Sequence, residues 1–342
     1  MTTMKAVVLT EAEGPESARL QTEPRPEPGP GEVRVKLHAA SLNHRELWIS
    51  RGQYPGMNLP SILGADGAGA IDALGEGVEG LTPGDDVVLY PARDWGGSEA
   101  YPSDSFCLLG MPIPGTLAEY LCVPTANVAP KPAHLSHVQA AAFPTAALTA
   151  WRALTVKAAL KPGDKVLITG IGGGVATFAL SFAVAMGADV WVTSGTAANI
   201  EQAVALGAKG GFDYHDEGWG KAARKASGGF DVVIDGAPAG AYAAYGRAIA
   251  MGARIVIYGS TQGPMFKVNA PEFFLRHATI FGTAMGSPAD FAAMLDFVAD
   301  KGITPVIQAE FLLDDIADAF AALQGAHFGK VIVDIPGTGG AA

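Results

Sequence analysis

Two hydrophobic periods divide this chain. Up to about residue 130 the apolar runs are short and are punctuated by Gly and Pro. Residues 4–10 form a first apolar run. Residues 11–31, rich in Glu, Pro and Gly, predict loop with at most one short strand. Residues 32–41, EVRVKLHAAS, alternate apolar and polar, which predicts a half-buried antiparallel strand. Residues 43–51, NHRELWISR, take helical spacing with Asn43 at the N-cap. Residues 52–64 predict a loop. Strands are expected at 64–73, 85–90 and 116–123, with a long irregular segment at 91–115. Many short strands with Gly/Pro turns predict a barrel-like or sandwich β module.

The second period begins after that point. The stretch HLSHVQAAAFPTAALTAWRALTVKA is helical, with a break at Pro144. From Lys161 strand and helix alternate: 165–170, 175–186, 189–193, 199–206, 211–213, 217–226, 230–235, 240–251 and 253–258. That alternation predicts a doubly wound parallel sheet, so the fold class is α/β. Residues 278–284, ATIFGTA, predict a last strand at the sheet edge, where apolar side chains invite a second subunit. Helices near 288–301 and 314–324 and a strand at 330–334 then return to the β module, which is therefore discontinuous.

The parallel sheet starts with KVLITGIGGGVATFALSFAVAMGADVWVTSGTAAN, residues 165–199. A buried strand, a glycine cluster, an all-apolar helix and a second strand make a βαβ unit with a right-handed crossover. Glycines let the backbone approach a diphosphate, and the helix N-terminus offers free N–H groups and a positive dipole end. The spacing departs from G-x-G-x-x-G: the frame that fits is Gly170-x-x-Gly173-x-x-Ala176. The candidate cofactor turn is Gly170, Ile171, Gly172, Gly173, Gly174 and Val175. A glycine turn without a ligand would pay backbone entropy for nothing.

Composition narrows the class. The 342 residues suit about two domains, and 49% hydrophobic with 17% charged residues makes the chain globular. A net charge of −11 with no basic run disfavours nucleic acid and anionic membranes as partners. Two cysteines, Cys107 and Cys122, exclude a disulfide framework and a four-Cys zinc site. The opening residues have too short an apolar run for a signal peptide, and no stretch of about 20 residues is apolar without a charge or breaker. A cytoplasmic protein is expected.

In order along the chain, GADGAG from Gly64, TAWRAL from Thr149, KPGDKVLITGIGGGVA from Lys161 and GKVIV from Gly329 resemble the medium-chain dehydrogenase/reductase superfamily. The chain is most similar to its zinc-independent, quinone oxidoreductase-like branch. The resemblance covers nearly the whole chain. It implies a GroES-like β-barrel catalytic domain (1–142 and 287–342), a Rossmann dinucleotide-binding domain (143–286), a cofactor cleft between them, and a homodimer through the edge strand 278–284.

By the same resemblance, zinc-dependent members carry Cys at the place of Asn43, and His and Glu at the places of Ala65 and Asp66. Their third ligand falls within 141–145, where this chain has neither Cys nor Asp. No metal is therefore expected, since a catalytic zinc needs about three protein ligands. The lobe that holds a structural zinc in relatives corresponds to 91–115, with Cys107 its one cysteine.

Without a Lewis acid, reduction of an activated C=C bond remains feasible, because hydrogen-bond donors can stabilise the carbonyl oxygen. The expected function is NADPH-dependent hydride transfer to a quinone or α,β-unsaturated carbonyl. The alternatives are an NAD(H)-linked alcohol dehydrogenase-like enzyme and a non-catalytic NADPH-binding protein. The catalytic candidates are Asn43, His44, Tyr54, Asp66 and Thr145. Asn43 stands both as a helix N-cap and as a substrate contact. His44 is a proton donor, a diphosphate contact or a surface His. Tyr54 is a lid over the substrate or a solvent-facing loop residue. Asp66 orients Asn43 or serves the structure alone. Trp95 and Asp94, in the long irregular segment, line the cleft or pack the loop.

The second strand ends in Thr193, Ser194, Gly195 and Thr196, without the carboxylate that would bind a ribose 2′-OH, and this favours NADPH over NADH. Asn199 stands where NADPH-using relatives often add a Lys. The remaining cofactor candidates are Tyr214 for the adenine, Gly236, Tyr258, Gly259 and Ser260 at strand ends, Met285 beyond the edge strand, and Lys330 near the cleft.

Overall fold

The computed structural model describes residues 2–325 and 328–336; residues 337–342 of the range assigned to the catalytic domain lie outside the description. The chain divides into two compact units, Met1–Thr145 with Ser287–Ala342, and Ala146–Gly286.

The first unit is built around the strand Glu32–Leu42. It pairs antiparallel with Asp66–Leu74, Tyr120–Pro124 and Lys330–Asp334. The last of these comes from the far end of the chain, so one sheet closes the discontinuity. The strand is more buried than its alternation predicts. Arg34, on its polar face, is buried because Asp72 and Glu27 both pair with it, and a charge is tolerated inside only when partnered. Val33, Val35 and Leu37 join Leu63, Leu117, Val331 and Phe320 in the core.

A smaller sheet pairs Thr3–Leu9 with Ala18–Pro24 and Ser61–Ile62. The strand Ala18–Pro24 is the one short strand allowed within 11–31, whereas Ile307–Leu312, which runs parallel to Lys330–Asp334, is among the strands the sequence pattern does not mark. Both are only partly buried and carry weak alternation. The strand expected at 116–123 begins later, at Tyr120.

The second unit is a six-stranded parallel sheet. Its order is Gly210–Asp213, Asp189–Ser194, Lys165–Ile168, Phe230–Asp235, Ile249–Ile257, Thr279–Gly282. In chain order this is 3-2-1-4-5-6, with the switch point beside Lys165–Ile168. Ligands of such sheets sit at the strands' carboxyl ends there. The helix Gly174–Ala185 follows the first strand, with Phe178, Leu180 and Phe182 buried.

The helix expected over 240–251 is Pro238–Tyr245, and the next strand starts at Ile249. Pro238 supplies a ready-made first turn. The apolar run beyond Tyr245 is captured by pairing with Phe230–Asp235. The last strand, Thr279–Gly282, is the edge, as its sequence predicts.

Candidate active site

In the first unit a buried polar cluster forms where the strands Glu32–Leu42, Asp66–Leu74 and Lys330–Asp334 meet. Asp66, Ser41 and Lys330 are buried, and Asn43 is half-buried. Asp66 Oδ2 accepts from Ser41 Oγ at 3.0 Å, Asn43 Nδ2 at 2.9 Å and Lys330 Nζ at 3.1 Å. Its Oδ1 accepts from the Thr145 N–H at 2.8 Å. Lys330 Nζ also donates to Asn43 Oδ1 at 2.6 Å and to the Leu42 carbonyl at 2.9 Å. An ammonium has three protons, and these acceptors take all three.

Local structure explains the placement. Asn43 ends the strand with extended backbone at the N-cap of the helix His44–Ser50, and its N–H donates to Glu46 Oε2 at 2.8 Å. The Thr116 hydroxyl fixes Asp66 from behind by donating to its carbonyl at 2.7 Å.

The first unit thus brings together Asn43, Asp66, Thr145 (through its backbone) and Lys330, the last of which stood among the cofactor candidates. His44 lies exposed at the start of its helix. Tyr54 is not a solvent-facing loop residue: it is partly buried against the core, with the Arg45 guanidinium 5.0 Å from its ring centroid. Trp95 packs the loop: it is buried, edge-on to Phe106, with its indole N–H on the Ser98 carbonyl.

Sequence reasoning missed Arg45 and Glu46. Arg45 donates to Glu46 Oε1 and the Leu109 carbonyl, and Glu46 is fully buried. Burial pushes the Glu46 carboxyl above its ordinary range, opposed by Arg45. Their position two and three residues after Asn43 was the available signal.

Zinc does not fit this cluster. Among the described residues no group of three or more His, Cys, Asp or Glu could hold a metal. The oxygens of Asn43 and Asp66 already face an ammonium, which a second cation would meet as a like charge.

In the second unit the glycine turn leaves Ile168 at the switch point. Gly170 has φ +64° and lies exposed, and a Cβ there would meet nothing within 4 Å, so the space before the helix is open. Gly172 also has a positive φ, 144°. Gly173 is the N-cap of Gly174–Ala185, and neither a capping side chain nor an acidic residue occupies the first turn. Free N–H groups and an unneutralised dipole end suit an anion. A dinucleotide diphosphate fits these residues.

The turn is tied to the next strand: Thr193 Oγ1 accepts from the Gly170 N–H, and the Thr193 carbonyl from Ile171. Asn199 Nδ2 donates to the Ile171 carbonyl at 3.3 Å. Thr193 and Ser194 are buried, and Ser194 Oγ accepts from Thr196. These hydroxyls are therefore partly spent on the turn itself. Gly195 lies against the next strand end, where a Cβ would stand 2.6 Å from Tyr214 Oη and 2.6 Å from His215 Cε1.

Beyond the switch point, Gly236 and Gly259 approach so closely that a Cβ on Gly259 would stand 3.0 Å from the Gly236 carbonyl. Tyr258 closes over Gly236, its hydroxyl 2.7 Å from where a Cβ would be. Ser260 is exposed. Met285 is buried at φ +58°, a left-handed conformation that costs a non-glycine residue about 1–2 kcal/mol.

Asp235, also missed, anchors this end. Its carboxylate accepts from Thr169 Oγ1 at 2.6 Å, the Ala237 N–H at 2.8 Å and Tyr245 Oη at 2.7 Å. Burial raises its pKa against the pull of those donors. Burial and the Asp235 carboxylate both raise the Tyr258 and Tyr245 pKa values. A carboxylate ending a buried strand was the sequence signal.

Comparison with known proteins agrees with this geometry. Residues 29–133 match the alcohol dehydrogenase GroES-like domain, and residues 174–300 match the zinc-binding dehydrogenase domain. The chain is 35% identical over 332 residues to the zinc-type alcohol dehydrogenase-like protein YogA of Leptosphaeria maculans, covering 91% of this chain and 92% of that one. It is 31% identical over 340 residues to the acryloyl-coenzyme A reductase of Metallosphaera sedula, covering 96% and 99%.

Among solved structures it is similar to an NAD-dependent alcohol dehydrogenase, with a TM-score of 0.92, 38% identity, and 97% and 100% of the two chains covered. A β unit holding a catalytic-type polar cluster, a parallel sheet with a glycine turn at its switch point, and these whole-length similarities have one explanation: the chain belongs to the medium-chain dehydrogenase/reductase superfamily and is an oxidoreductase of that family.

Proposed function

We propose that the chain is a zinc-independent, NADPH-dependent reductase of α,β-unsaturated carbonyl compounds, with quinones in the same class. One observation carries this reading: the cluster that holds Asn43 and Asp66 is closed around the Lys330 ammonium. An amide N–H, and no Lewis acid, is then the group left to polarise a substrate oxygen.

The Gly170–Gly174 turn would hold the diphosphate of a nicotinamide dinucleotide, which when bound would supply a hydride. At the substrate, hydride arrives on the β-carbon as the C=C electron pair shifts toward the carbonyl oxygen. The Asn43 amide donates to that oxygen as its charge grows. A proton from water then reaches the α-carbon, so the substrate gains two electrons and two hydrogens while the nucleotide is oxidised. The acryloyl-coenzyme A reductase relative bears, by its name, an acceptor of this kind.

A second reading is an NAD(H)-linked alcohol dehydrogenase-like enzyme. Its similarity to an NAD-dependent alcohol dehydrogenase favours it. So do Asp213, Asp216 and Glu217 around Tyr214, whose carboxylates would repel a 2′-phosphate. A protein of the cytoplasm, paired through Thr279–Gly282, accompanies either reading; among the described residues no helix is long and apolar enough to cross a membrane.

The test is an acceptor screen of enones, enoyl thioesters, quinones and aldehydes, followed by the loss of NADPH or NADH absorbance. The proposal expects enone or quinone turnover with NADPH that survives a chelator, in protein carrying far less than one zinc per chain. Activity lost to a chelator and restored by zinc overturns it. Turnover confined to alcohols and aldehydes with NAD(H) establishes the second reading.

A further inference from the structure

The side chain of Asn43 sits between two opposite charges. Its Oδ1 faces Lys330 Nζ at 2.6 Å, and its Nδ2 faces Asp66 Oδ2 at 2.9 Å. A carboxamide can in general rotate to exchange its oxygen and nitrogen. Here that exchange would set an NH₂ group against an ammonium and an oxygen against a carboxylate. Both contacts would turn from attractive to repulsive inside a buried cluster, where electrostatic interactions are strong. The charges therefore admit one orientation of the amide.

The hydrogen-bond inventory then identifies what is left over. Lys330 spends its three protons on Leu42, Asn43 and Asp66. Asp66 accepts from Ser41, Asn43, Lys330 and the Thr145 backbone. Ser41 donates its one proton to Asp66. Asn43 Nδ2 carries two protons, and Asp66 takes one. Of the four side chains, Ser41, Asp66 and Lys330 are buried and Asn43 alone remains half-exposed.

We propose that Lys330 is a positioning residue that acts through Asn43. Together with Asp66 it clamps the Asn43 amide in one orientation, with one Nδ2 proton kept for a ligand's carbonyl oxygen. The ammonium draws electron density from Oδ1 and so strengthens the remaining N–H as a donor, as charge-assisted and chained hydrogen bonds do. The clamp is a structural property of the free protein. Its consequence for turnover rests on the reductase reading above.

Two readouts on the full chain separate the two. The first is the side-chain amide signal of Asn43 in protein labelled with ¹⁵N-asparagine, identified by its loss in Asn43→Ala. The clamp predicts two amide protons well separated in chemical shift and slow to interchange in the wild type. It predicts that they move toward the values of a free amide in Lys330→Met. Removing the ammonium alone leaves a buried carboxylate, which threatens folding. The double variant Lys330→Met/Asp66→Asn leaves no orphan charge and serves where the single variant is unfolded. An Asn43 signal unchanged in the folded variant overturns the clamp.

The second readout is kinetic, with the best enone acceptor. Loss of one oxyanion donor costs about 100-fold or more in kcat. Asn43→Ala and the Lys330 variant are each expected to lose about that much in kcat, with KM and nucleotide Kd within a few-fold of wild type. The Lys330 change should add no further loss once Asn43 is Ala. Losses that multiply, or a Lys330 variant whose loss lies in nucleotide Kd, show that Lys330 does not act through Asn43 and overturn the proposal. If the wild type turns over no enone or quinone with either nucleotide, the reductase reading fails and the amide signal alone decides the clamp.

Discussion

At the scale of single residues, the two units share one device: a buried carboxylate whose donors tie a strand end to its neighbours. Asp66 does this with four donors, among them Asn43 and Lys330, which lie 23 and 264 residues away in the chain. Nothing local to Lys330 announces its task, and a strand-start lysine reads as a solvated one. Asp235 is the second case, and its protonation makes a prediction. Its native pKa is raised by burial, so the native state holds a proton more tightly than the unfolded chain does. Stability then falls as pH rises from the ordinary carboxylate value of 3.8 through the raised native value. Asp235→Asn keeps an acceptor for Thr169 and removes this titration. The stability of the variant relative to wild type, from urea midpoints between pH 4 and pH 7, is expected to rise with pH. A difference that stays flat or falls across that window contradicts the assignment.

At the scale of elements, the glycine-turn helix and its flanking strands were legible because each carries one dominant pattern. The strand Lys165–Ile168 is a short apolar run, and the helix Gly174–Ala185 is apolar on nearly every face. The strand Ile307–Leu312 was not legible: its positions are partly exposed and it pairs with one strand, so it carries neither a buried run nor clean alternation. Helix contacts also turn on backbone approach. Gly220, in Trp219–Ser227, lies directly against the Ala244 carbonyl of Pro238–Tyr245. A Cβ there has no side chain to push aside, only backbone. Gly220→Ala is expected to destabilise by about 1–3 kcal/mol despite the better helix propensity of alanine. A thermal midpoint equal to or above that of wild type would show that the two helices can separate at little cost.

At the scale of the whole molecule, the strand Thr279–Gly282 closes one side of the six-stranded sheet, with Thr279 exposed. Phe274 and Leu275, just before it in the chain, are also exposed large apolar residues. An apolar edge of this kind is a template for pairing, and we propose that a second copy of the chain covers it. Thr279→Lys sets two like charges near each other in a symmetric pair, so the variant is expected to elute as a monomer under conditions where the wild type elutes as a dimer. Elution of the wild type as a monomer at micromolar concentration would remove the proposal.

The sequence alone determined the alternation of strand and helix, the glycine turn, the edge strand and the return of the tail to the β unit. Each of these is written in hydrophobic period or in glycine placement, which are local properties. The resemblance to the family, carried by motifs along the chain, added the expectation that Asn43, Ala65 and residues 141–145 stand where metal-dependent members carry zinc ligands. What only the tertiary structure decided is which groups gather around Asn43 and Asp66. The Lys330 ammonium enters from the last strand because that strand pairs antiparallel with Glu32–Leu42. Its protons find Leu42, Asn43 and Asp66 because three strands converge there. Charge meets charge through register and crossover, which no window of sequence contains.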